Sequence, residues 1–173
     1  MVAFNPLPEN LLRQPIDYLM ADHRRQTKVC DLLDSIHGDP EGETARSSAT
    51  AILDYLAVDL PHHVADEEEL FPSLAARCRP SDKVEALIDL LKAEHADNGA
   101  LLEATEAALR AMAAQGAADG LAPALAVFAE AKRRHIRLEN ELLFPLARAR
   151  LKPEDLRALG RTMALRRGVP FPD

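Results

Sequence analysis

A shift of 72 residues lays one half of this chain on the other. "YLMADH" (Tyr18 to His23) falls on "LLKAEH" (Leu90 to His95), Leu53 on Leu125, His63 on His135 and Glu67 on Glu139. Under the same shift Glu69 meets Glu141, Leu70 meets Leu142 and Leu74 meets Leu146. Leucine and alanine coincidences are cheap in so Leu- and Ala-rich a sequence, whereas histidines and a glutamate landing on like residues are not. The chain therefore reads as two related helical hairpins, with corresponding residues at corresponding depths. One pair of dipeptides disagrees: Phe71-Pro72 and Phe144-Pro145 align only at a shift of 73, which would select His62 and Asp66 instead.

The composition supports helices. Ala, Leu, Glu and Arg abound, aromatics are 4%, and Gly and Pro gather in a few clusters. The pattern predicts helices over roughly Pro15 to His37, closed by "GDPEG"; Glu43 to Arg77; Asp82 to Gln115, closed by "GAADG"; and Ala122 to Arg150. A short fifth helix is expected from Pro153 to a point before Gly168. Asp82 and Glu85 resemble a capping box, and Pro123 suits a first helical turn. Pro61 falls inside the second helix, where a local kink is expected. The fold class is all-α: an up-down-up-down four-helix bundle with a short additional C-terminal helix. A single domain of 173 residues is expected, its bundle core over about 15–150, with the first dozen and last six residues extended against it.

Helical periodicity decides between the two registers. Leu53, Leu56, Leu60, Leu70 and Leu74 form an apolar stripe whose gap is filled by His63 and Glu67. His62 points about 100° away, on a face with Asp59, Asp66, Glu69 and Ser73 that reads as solvated. The fourth helix repeats the arrangement with Leu125, Phe128, His135, Glu139, Leu142 and Leu146. His23 shares a stripe with Ile16, Leu19 and Cys30, and His95 with Ile88, Leu91 and Leu102. Glutamates on an apolar stripe are costly unless compensated, and no Lys or Arg is read at the matching stripe positions. A cation would serve. Four imidazoles and two carboxylates suit one or two transition-metal ions, with Fe, Mn or Zn favoured over Ca or Mg.

In this order, His23, "HHVADEEELFP", His95 in "AEH" and "HIRLENELLFP" resemble the hemerythrin-like, or HHE cation-binding, family over roughly residues 15–150. The resemblance implies a non-haem di-iron centre held by His23, His63, Glu67, His95, His135 and Glu139, the glutamates bridging. Two departures bear on function. Oxygen-carrying hemerythrins place a second histidine four residues along the third helix, where this chain has Gly99, and an Asp five after the fourth-helix histidine, where it has Asn140. Both departures count against reversible oxygen carriage. The ligand set is more similar to that of bacterial members linked to nitric-oxide or oxidative stress, including iron-sulfur-centre repair proteins. Those carry an N-terminal cysteine-containing domain for which this chain has no room.

The remaining residues have plainer readings. His37 suits a helix C-terminus, and Asp66, Glu68 and Glu69 are expected in solvent. Cys30 reads as core, and Cys78 as a surface thiol between two arginines that could lower its pKa. Arg157, Arg161, Arg166 and Arg167 read as a solvated helix face. A net charge of -7 disfavours nucleic acid and anionic membranes, no apolar run could span a bilayer, and two cysteines suit a reducing, cytoplasmic setting. The expected function is binding of O2, NO or peroxide in sensing or redox stress response, through an effector still to be identified. The alternative is a structural or interaction bundle that uses its ion as a scaffold.

Overall fold

The computed structural model describes residues 4–115 and 122–172. Helix α1 spans Pro15–Gly38, opened by a proline whose missing N–H would have had no helical partner. Helices α2 (Ala45–Arg77), α3 (Val84–Gln115) and α4 (Ala122–Leu138) follow. A π-helical segment, Glu139–Leu143, joins α4 to α5 (Phe144–Arg150), and α6 covers Pro153–Arg166. The four long rods contact one another in a ring, α1 on α2, α2 on α3, α3 on α4 and α4 on α1, as an up-down-up-down bundle requires. The closure expected at "GAADG" lies outside the described residues.

Several boundaries differ from expectation for identifiable reasons. Residues Glu9–Arg13 are not extended but form a 3-10 turn, because Leu12 is buried beneath α6. That approach is close: a Cβ on Gly160 would collide with the backbone carbonyl of Leu12. Asp82 does not cap α3. It closes a 3-10 turn at Pro80–Asp82, accepting the Arg79 N–H at 2.7 Å while the Arg150 guanidinium grips it at 2.6 and 2.8 Å. Lys83 then takes a left-handed conformation, φ 52°, before α3 begins. Pro61 and Pro72 both lie within α2, which continues through them as helix.

On the face of α2 expected in solvent, Glu69 and Ser73 are exposed and so is Glu68, but Asp66 is not. Asp66 is fully buried, because α6 crosses α2 there and sets Arg166 and Arg167 on its carboxylate, the latter at 2.6 Å. Half of the C-terminal arginine cluster is thus spent on a buried ion pair, while Arg157 and Arg161 remain exposed. Cys78 is half-buried, and burial, with Asp82 nearby, raises its pKa. The flanking Arg77 does not lower it, since Asp155 holds that guanidinium through two 2.8 Å hydrogen bonds. Cys30 is core, as expected.

The stripe on the fourth rod breaks after Glu139. Leu142 is 51% exposed, and Leu143 is buried in its place. The π segment accommodates one extra residue per turn and rotates everything after it by one position. Both sequence registers are therefore true. The 72-residue shift holds through Glu67 and Glu139; beyond them a shift of 73 matches the buried Leu70 to Leu143, Phe71 to Phe144 and Leu74 to Ala147.

The core forms two apolar slabs. One, around Leu19, Leu70, Phe71, Leu91, Phe144 and Met163, joins the bundle to α6; the other, around Leu33, Ile52, Tyr55, Leu109 and Phe128, fills the opposite end. Between them lies a layer of buried ionisable side chains.

Candidate metal centre

That layer gathers all six side chains singled out from the sequence. His23 comes from α1, His63 and Glu67 from α2, His95 from α3, His135 from α4 and Glu139 from the start of the π segment. They form two overlapping groups, His23-His63-Glu67-Glu139 and Glu67-His95-His135-Glu139, with donor atoms of each group within 4.8 Å of one another. His62 is outside both. It is half-buried beside Tyr18, Asp59 and Arg167 on another side of α2.

The distances are those of atoms facing a common point. His23 Nε2 lies 3.2 Å from His63 Nε2, and His95 Nε2 lies 3.2 Å from His135 Nε2. Glu67 Oε1 is 2.7 Å from His63 Nε2 and 3.5 Å from His23 Nε2, and its Oε2 is 3.4 Å from His95 Nε2. Glu139 reaches His23 at 3.2 Å and His135 at 3.3 Å through different oxygens. Yet none of the four carboxylate oxygens, all buried, has an aligned hydrogen-bond donor. Donors about 2.1 Å from a shared first-row ion at near right angles stand about 3 Å apart, so the spacing and the orphaned oxygens both fit metal ions. The two glutamates are common to both groups, with two histidines on each side.

The outer ring fixes the imidazoles. His135 Nδ1 lies 2.7 Å from Glu94 Oε2, and His23 Nδ1 lies 2.8 Å from Asn140 Oδ1, the side-chain amide oxygen. With Nδ1–H donating outward, each Nε2 lone pair faces the cluster. His63 Nδ1 lies 3.1 Å from Asp22 Oδ2, off the ideal hydrogen-bond line. Asp22 is itself held by Arg25 and by the Tyr55 hydroxyl, each at 2.9 Å. His95 Nδ1 is the exception. It has no hydrogen-bond partner, and the nearest carboxylate, Glu68, is 3.9 Å away.

Without an ion, protons carry the compensation. Burial works against a charged His63, but Glu67 and Asp22 outweigh it and raise its pKa to about 10. Burial likewise opposes ionised Asp22, yet His63, Arg25 and Tyr55 hold it down at about 2. Glu67 is kept well below the usual carboxylate range, against burial, by His63, His23 and His95. Glu139 is lowered by His135 and His23 despite burial and repulsion from Glu67. The cavity is therefore built for anionic carboxylates facing positive charge.

Four residues around the cluster escaped the sequence reading. Asp22 and Glu94 immediately precede His23 and His95 and coincide under the 72-residue shift, so "ADH" over "AEH" carried the signal. Asn140 had stood out only as a departure from the oxygen carriers. Lys132, contrary to expectation, is a cation on an inward stripe: it lies between Phe128 and His135 at helical spacing and is only 8% exposed.

The chain matches the family described as Hemerythrin HHE cation binding domain over residues 14–147. No curated protein matches it. With more than half of its length matched, and a buried His/Glu cluster able to hold metal at the centre of a helical bundle, the chain belongs to the hemerythrin HHE cation-binding domain family.

Proposed function

We propose that the protein holds two transition-metal ions, iron foremost with manganese or zinc as alternatives, through His23, His63, Glu67, His95, His135 and Glu139, and uses them to bind a small ligand such as O2, NO or peroxide. The observation that carries this reading is the set of four fully buried carboxylate oxygens without hydrogen-bond donors, enclosed by four imidazole Nε2 atoms. When bound, such ions supply Lewis acidity and redox chemistry at positions the protein leaves open. Six ligand side chains shared between two ions leave coordination positions free for solvent or a small ligand. The chain's own residues do the rest. Glu94 and Asn140 set imidazole orientation, Glu67 and Glu139 neutralise cationic charge, and the two apolar slabs exclude bulk water.

A role in sensing or redox stress response follows from an open centre, and sensing would need a partner that reads its state. Anaerobic purification after iron-replete expression, elemental analysis and optical titration with azide and NO test the reading. About two ions per chain and a spectral response to either ligand are expected. A metal-free chain would overturn it, and ions indifferent to both ligands would make the centre structural.

A further inference from the structure

The two flanks of the cluster are built differently. On the His23 side the imidazole is 2% exposed, stacked on Phe144 and tied to Asn140. On the other side His95 is 9% exposed, its Nδ1 unpartnered, and it lines a pocket of about 370 Å³ between α2, α3 and α4. That volume falls within the range of small-molecule sites. Leu60, Val64, Leu102 and Phe128 give the pocket apolar walls. Gly99 leaves it open: a Cβ there would meet nothing within 4 Å.

Among the described residues Lys132 is the one Lys or Arg in this lining. Its pseudo-symmetric counterpart is Leu60, so the same depth holds a hydrocarbon on α2 and an ammonium-bearing chain on α4. Lys132 as a whole is only 8% exposed, so its hydrocarbon stem is buried, and no carboxylate among the described residues forms an ion pair with its ammonium. Among the described residues the only acid in the lining, Glu68, is 57% exposed at the solvent rim and is accordingly screened. An ammonium set on an apolar wall with no protein carboxylate on it can pair with an anion from outside, and the apolar pocket beside it favours an anion that carries a hydrocarbon body.

We propose that this pocket binds a small amphiphilic monocarboxylate, its apolar body against Leu60, Val64, Leu102 and Phe128 and its carboxylate on Lys132. The inference goes beyond the proposed function and stands without an ion in the cluster. Octanoate and 1-octanol are the probes, titrated calorimetrically into the full chain, metal-loaded and metal-free, with metal content measured on the same samples. Octanoate should bind at one site per chain. Lys132→Met should weaken it by roughly thirtyfold or more while leaving 1-octanol nearly unchanged. Gly99→Leu, which adds a side chain where a Cβ meets no neighbour, should weaken both probes. Absence of saturable octanoate binding, octanol binding as tight as octanoate, or indifference to Lys132→Met each overturns the proposal. Octanoate binding by a chain that takes up no metal supports the pocket and counts only against the metal centre.

Discussion

His62 and His63 are adjacent in sequence and lie in different surroundings. His63 touches Glu67 and Asp22 in the buried layer, whereas His62 lies among Tyr18, Asp59 and Arg167. His63→Ala should therefore lose most of the metal under conditions where His62→Ala keeps it, as elemental analysis after matched dialysis will show; equal losses would sink the assignment. Residues that touch only the outer nitrogens should act more mildly. Asp22→Asn and Glu94→Gln are expected to weaken metal binding by about 10–100-fold, measured by competition with a chelator of known affinity. Helical spacing was enough to choose His63, because its neighbours on the stripe belong to its own helix. It was not enough for Asp66 or Lys132. Whether Asp66 sees solvent depends on α6, which crosses it from nearly 100 residues away, and the surroundings of Lys132 depend on how α2 and α3 approach α4.

At the level of elements, the π segment is the clearest case of structure that sequence patterning recorded without resolving. Two incompatible registers were both visible, and a one-residue insertion reconciles them. Asn140 occupies the second position of that segment and carries the hydrogen bond to His23. Deleting Asn140 should restore an uninterrupted α-helix and keep Leu143 and Phe144 in the core, with Glu141 moved to the place facing His23. The helical circular-dichroism signal should persist while metal retention falls; unchanged retention would show that the segment has no part in the centre. A different device anchors α6. Arg77 holds Asp155 at a pKa of about 2, chiefly by their hydrogen bonds, assisted by the Lys152 N–H. A carboxylate depressed in the folded state stabilises it above the unfolded value, near 3.9, and that contribution is lost as pH falls toward 2. Urea unfolding should therefore find Asp155→Asn less stable than the parent at neutral pH, with the gap closing below about pH 4. A gap that widens on acidification would contradict the sign.

Across the whole molecule, the bundle consists of two apolar slabs held apart by a charged layer, with one hairpin contributing each half of that layer. Any ion that binds this layer in the folded chain alone must also stabilise the fold, by about 2.7 kcal/mol when free metal is one hundredfold above its dissociation constant. Chelation should lower the melting temperature of the parent and leave a Glu67→Gln, Glu139→Gln double variant nearly unaffected. The general plan was legible because a repeated motif at constant spacing demands two similar hairpins and a shared interior. The inequality of the two halves was less so, since it rests on Asn140 facing His23 while Glu68 stops 3.9 Å short of His95. That inequality gives the centre a front door and a back room. In the proposed two-ion centre, ions should pass the His95 flank one behind another, so that the one held on the His23 side is first to arrive and last to depart. A strong chelator should then strip the protein in two unequal phases, of which His95→Ala removes the faster.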